Sequence, residues 1–125
     1  MAFDWQQYLD LARYLSDQAG RQADICEAAQ RSAVSRAYYA AFCHARNYAR
    51  DIEAFVPTGT GKDHAVVPDH FKATKPEVSR LLQRLKQWRT TCDYDDTLAS
   101  SPRQADVHMM MLSAIRHAEE VIKRL

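Results

Sequence analysis

Residues 31–49 read RSAVSRAYYAAFCHARNYA, and the spacing of their apolar positions decides the fold. Val34, Tyr38, Ala41, Ala45, Tyr48, Ile52 and Phe55 recur at intervals of four and three. That spacing is the seam of an α-helix packed against partner helices. The opposite side is also poor in solvent-type residues: Ala28, Ala29, Ser32, Tyr39, Ala40 and Cys43 fall there, with Arg36 among them. A helix apolar on two sides is either central to a bundle or shared between a bundle and a second subunit. An arginine on such a face needs an anionic or hydrogen-bonding partner, because a buried unpaired charge is costly.

Working outward, the pattern stays helical. Residues 3–18 carry Trp5, Tyr8, Leu9, Ala12 and Leu15 as one stripe, and Gly20 follows as a stop. The long helix is predicted over residues 21–55, and the run PTGTGKD at 57–63 breaks it. A short helix is read over 65–71. Thr74-Lys75-Pro76-Glu77 has the form of a capping box with an early proline, opening a helix to residue 90 whose stripe is Val78, Leu81, Leu82, Leu85 and Trp88. Residues 93–100 read as a loop. Ser101-Pro102-Arg103-Gln104 repeats the capping pattern, and Val107, Met111, Ala114, Ala118, Val121 and Leu125 carry the last stripe. No segment alternates as a strand does. The expectation is one domain over residues 1–125, an all-α, up-and-down bundle of four main helices with a short extra one.

Bulk numbers narrow the function classes. Of 125 residues, 46% are hydrophobic and 26% charged, and 17 basic side chains against 16 acidic ones leave a formal charge of +1. That balance gives no global electrostatic pull towards nucleic acid or membrane. The three cysteines, Cys26, Cys43 and Cys92, are odd in number and without CxxC spacing, which reads as reduced packing thiols. Neither a signal peptide nor a membrane span is visible, so a cytoplasmic protein is expected.

Few residues announce chemistry. Arg89 projects to the core-facing side of its helix with Val78, Leu82 and Leu85, close to Asp93, Tyr94, Asp95 and Asp96. From position alone, helix capping and ion pairing rank ahead of a place at the edge of a cleft. Five histidines occur (His44, His64, His70, His108 and His117), in no established metal-ligand spacing, and no metal or cofactor is implied. Gly59-Thr60-Gly61-Lys62 resembles the end of a P-loop but lacks its first glycine, its strand and its Ser or Thr.

With the helix pattern in place, Ser35-Arg36-Ala37-Tyr38-Tyr39-Ala40-Ala41-Phe42 resembles the signature helix of the HEPN superfamily, in its small stand-alone prokaryotic branch. The order of the other parts is similar too: Lys62-Asp63-His64 in a loop, then Leu81 through Arg89-Thr90-Thr91-Cys92-Asp93-Tyr94-Asp95. The resemblance implies a toxin-like protein acting on RNA as a homodimer, a metal-independent ribonuclease whose arginine stabilises phosphorane charge. The alternative it implies is a non-catalytic dimerisation module paired with a minimal nucleotidyltransferase in a toxin–antitoxin or defence system, with Tyr94 as the candidate acceptor of modification.

Carried onto this chain, the catalytic set is Arg89, Asp93 and Tyr94. Tyr94 stands five positions after the arginine, where relatives place a histidine. Ser35, Arg36, Tyr39, His44 and His64 are the supporting polar or phosphate-binding residues, and RNA or a nucleotide is the expected ligand. Cys43 stands where relatives often have histidine, and His44 one residue on is turned by about 100° around the helix. A literal Arg-to-His match, Arg103 to His108, opens the last helix, where residues five apart point in different directions.

Overall fold

The computed structural model describes residues 1–98 and 107–125. Within them the chain is all-helical: α1 (Gln6–Ala19), α2 (Cys26–Ile52), α3 (Asp63–Phe71), α4 (Pro76–Tyr94) and α5 (Val107–Arg124), with one 3₁₀ turn (Ala23–Ile25) before α2. Four long helices form the bundle and α3 is the short extra one. The second capping pattern, at residues 101–104, and Arg103 of the Arg103 to His108 match lie outside the described residues.

Helix α2 is the hub, packed on α1, α3, α4 and α5. Its stretch from Ala33 to Ala45 is closed on both sides: Ala33, Val34, Ala37, Ala40, Ala41 and Ala45 are fully buried, and Tyr38 is 1% exposed. Alanine rows let neighbouring helix axes approach closely, so the two-sided apolar pattern marks the centre of the bundle. Leu9 and Ala12 of α1, Val67 and Phe71 of α3, Val78, Leu82 and Leu85 of α4, and Met111, Ala114 and Val121 of α5 complete one core.

Element ends depart from the sequence expectations for local reasons. α1 starts three residues late, where Asp4 Oδ1 accepts the Gln6 amide at 3.0 Å. It ends at Gly20, but with φ −74°, so the glycine closes the helix without a left-handed turn. α2 stops at Ile52 because Ala54 turns left-handed at φ 57°, sending the Phe55 amide back to the Ala49 carbonyl at 3.0 Å. The box expected at Thr74 does not form: Lys75 holds the cap position with no side-chain bond, and Arg80 engages the Glu77 carboxylate instead. Pro76 does occupy the first turn. α4 continues to Tyr94 rather than residue 90, so Asp93 and Tyr94 are helical, not loop. No helix among the described residues is long and apolar enough to cross a membrane.

Candidate functional site

Two helices build the polar corner of the molecule. Tyr38 and Tyr39 leave α2 side by side, and Arg89 of α4 lies against both, its Cζ 5.5 Å from each ring centroid. Four residues on, and so on the same helix face, the Asp93 carboxylate meets the guanidinium at 3.5 Å. Ser35 Oγ donates to Asp93 Oδ2 at 3.4 Å, and Arg36 donates to Ser35 Oγ at 3.4 Å. Arg36 itself stacks over Tyr8 at 4.7 Å and Tyr39 at 5.3 Å. Ser35, Arg36, Tyr39, Arg89 and Asp93 therefore form one connected group. Two cations here sit over aromatic faces, where the ring quadrupole offsets part of their desolvation.

The Arg89 side chain is only 13% exposed. Its Nε is fully buried and has no hydrogen-bond partner among the described residues. A buried donor left unpaired costs about 1–3 kcal/mol, so this guanidinium is held at the expense of stability. Arg89 is also a full turn short of the helix end, so dipole capping does not explain it.

His64 joins the corner from the second residue of α3. Its Nδ1 is 2.5 Å from the Tyr38 hydroxyl, and its ring stacks on Phe42 with centroids 4.5 Å apart and planes 16° apart. Burial lowers the imidazole pKa, the charges of Arg89 and Lys86 lower it further, and Asp63 opposes them. Burial likewise pushes the Tyr38 phenol well above its usual range, so it keeps its proton.

The residue before His64 sets its place. Asp63 is 5% exposed, and its carboxylate accepts the Thr58 amide and hydroxyl, each at 2.8 Å, and the Gly59 amide at 3.0 Å. These bonds hold its carboxyl below the usual range, the Thr58 amide contributing most. The Asp63 carboxylate is thus already seated on the amides of Thr58 and Gly59, where the P-loop-like run begins. Gly59 is required there: its φ of +72° is left-handed, and a side chain would be strained.

Beside His64 a cleft of about 620 Å³ opens between α3 and α4, within the range of small-ligand sites. Lys72 and Asp69 of its wall pair with each other at 2.9 Å. Gln83, Lys86, Gln87 and Thr90 line the α4 side. Arg89 does not line this cleft, whereas His64 lines it and also meets Tyr38 of the corner.

Two residues expected at the site lie elsewhere. Tyr94 is 73% exposed at the end of α4. His44 lines a separate 260 Å³ cavity with Phe3, Trp5, Asn47 and Ile122, and burial lowers its pKa. Among the described residues no group of three His, Cys, Asp or Glu is arranged to hold a metal.

Arg31 was not anticipated from its residue type or position. Its guanidinium donates to the Cys92 carbonyl at 3.0 Å and the Asp95 carbonyl at 2.7 Å, while Nε meets Glu27 at 3.0 Å. It thus closes the C-terminus of α4, where Asp93 sits, from across the bundle. Comparison with family models, with curated proteins and with solved structures gives no match to this chain.

Proposed function

We propose that the protein is a HEPN-type, toxin-like ribonuclease that acts on RNA as a homodimer without a metal. The observation that carries this reading is Arg89: a guanidinium clamped by Asp93, laid on Tyr38 and Tyr39, and kept in place although its Nε is unpaired. Metal-free RNA cleavage proceeds by attack of the 2′-hydroxyl on the adjacent phosphorus, with departure of the 5′-oxygen. Negative charge then builds on the phosphoryl oxygens, where a preorganised cation is most effective. Asp93 and Ser35 orient the guanidinium, Arg36 and Tyr39 brace it, and His64 brings a second nitrogen-bearing group to the same corner.

The test is incubation of the purified protein with RNA in EDTA, comparing wild type with Arg89→Ala and Arg89→Lys, each checked for helicity. The reading expects chelator-resistant cleavage, lost in both variants because lysine cannot reproduce the planar fork. Cleavage unchanged by Arg89→Ala refutes it.

A second reading is favoured by one observation, the 73% exposure of Tyr94 on the helix that carries Arg89. In it the protein is a binding module whose Tyr94 hydroxyl is modified by a nucleotidyltransferase partner. Intact mass after co-expression with such an enzyme separates the two, and no added nucleotidyl mass counts against this alternative.

A further inference from the structure

The short contact between Tyr38 and His64 has a chemical consequence that depends on which group donates. The Tyr38 hydroxyl is sealed in the core, 1% exposed, and His64 Nδ1 is its hydrogen-bond partner among the described residues. If Nδ1 carried a proton and donated to the phenol oxygen, the phenol's own proton would be buried without an acceptor, which is costly. If Tyr38 donates, both groups are satisfied. The imidazole is then neutral with its hydrogen on Nε2, on the ring edge away from Nδ1. His64 lines the α3–α4 cleft, and Nε2–H is then the one N–H the ring has to offer a ligand there.

We propose that His64 serves as a neutral hydrogen-bond donor, its Nε2–H presented to a phosphoryl oxygen in the cleft between α3 and α4, and that Tyr38 is the positioning residue that fixes this tautomer. This inference rests on the RNA reading for its ligand, and it assigns His64 a task other than general base: Nε2–H cannot take a proton from a 2′-hydroxyl. The groups that face the ring agree with a neutral state. From α2 these are Tyr38, Tyr39 and Phe42; from α4, the cations Lys86 and Arg89; from its own helix, Asp63. Asp63 would favour an imidazolium, but its carboxylate is engaged by Thr58 and Gly59. The cations and the phenol disfavour one. Lys86 lines the same cleft and supplies the charge that a neutral imidazole does not. Gln83, Gln87 and Thr90, at helical spacing along α4, add hydrogen-bonding side chains for the rest of a nucleotide unit.

The test has two arms. The first is the long-range ¹H–¹⁵N spectrum of the imidazoles from pH 5.5 to 8, which separates the two neutral tautomers and the imidazolium. Wild-type His64 is expected as the Nε2–H tautomer above pH 6.5, and Tyr38→Phe is expected to mix the tautomers and raise the titration midpoint. The second is binding of a 2′-O-methyl RNA oligomer, which cannot be cleaved by its own 2′-oxygen. His64→Gln keeps a neutral N–H donor near the Nε2 position and is expected to bind within about threefold of wild type, whereas His64→Ala binds at least about tenfold more weakly.

An Nδ1–H tautomer in the wild type overturns the proposal, as does a Gln variant as weak as Ala, or equal binding by all three proteins. Loss of the expected tautomer with cleavage intact defeats this inference alone. The expected tautomer and binding pattern without cleavage defeats the ribonuclease reading alone.

Discussion

Replacing Arg31 by methionine tests whether the end of α4 is tied down from α2. Methionine keeps much of the stem and removes the guanidinium. Two charge-assisted bonds are lost, to the carbonyls of Cys92 and Asp95, each worth about 1.5–3 kcal/mol when water is excluded. Arg31 is 17% exposed, but Asp95 lies in solvent and water replaces part of its bond. The Glu27 pair adds little, because that carboxylate is 63% exposed. Counting the Cys92 bond at the middle of its range and the Asp95 bond at well under half gives a loss of about 2–3 kcal/mol. For a domain of this size that lowers Tm by about 7–15 °C. At a urea m-value of about 1.5 kcal/mol/M, the midpoint falls by about 1.3–2 M with the slope unchanged.

Arg31→Lys should recover about half of the loss: one nitrogen, Nη1, meets both carbonyls, and the shorter lysine keeps a cation there without reaching both at full strength. Urea unfolding followed by circular dichroism measures both variants. Amide exchange at Asp93, Tyr94 and Asp95 should report fraying of the last turn. A methionine variant within about 0.5 kcal/mol of wild type, with those amides still protected, would refute the capping argument.

Burial lowers the pKa values of His44, His64 and His117, so the folded protein binds fewer protons than the unfolded chain below about pH 6.5, and stability present above that pH is lost as it falls towards pH 5. Tm should decline over that window, and His64→Gln should flatten the decline; an unchanged slope in the variant would contradict the role given to His64. Burial also pushes the thiols of Cys43 and Cys92 up to about 11, whereas Cys26 is half-buried at the start of α2. Native protein at pH 7.5 should therefore take one equivalent of an aromatic disulfide reagent, and three in guanidinium; rapid reaction of three in the native state would show that the thiols are accessible.

Helix type and the α2 seam were legible because each depends on residue type at short spacing, whereas the grouping of Ser35, Arg36 and Tyr39 with Arg89 and Asp93 came only from the family resemblance. Arg89 and Asp93 share a helix face only because α4 runs on to Tyr94, beyond the end expected at residue 90. What escaped depends on contacts between distant residues or on backbone turns. Arg31 binds carbonyls 61 and 64 positions away, and carbonyls belong to every residue, so no side-chain pattern marks the pairing. Tyr38 and His64 are 26 apart, brought together by the Asp63 clamp on the preceding loop. Tyr94 was grouped with Arg89 from a family spacing. Once α4 continues through it, five residues amount to about 140° around the helix, which carries its side chain away from the arginine.

The alanine rows of α2 have a consequence for how this protein tolerates change. Ala33, Ala37, Ala40, Ala41, Ala45 and Ala49 are fully buried where neighbouring helices approach, so their identity is a matter of volume alone. A single added methylene there forces a helix axis outward, and the displacement reaches Tyr38, Tyr39 and everything laid upon them. The α4 side of the α3–α4 cleft is lined instead by polar side chains, Gln83, Lys86, Gln87 and Thr90 among them, that can be exchanged without moving an axis. A library built on this scaffold should therefore hold the central helix and His64 constant and vary the rest of the cleft, where new ligand preferences can arise without disturbing the corner.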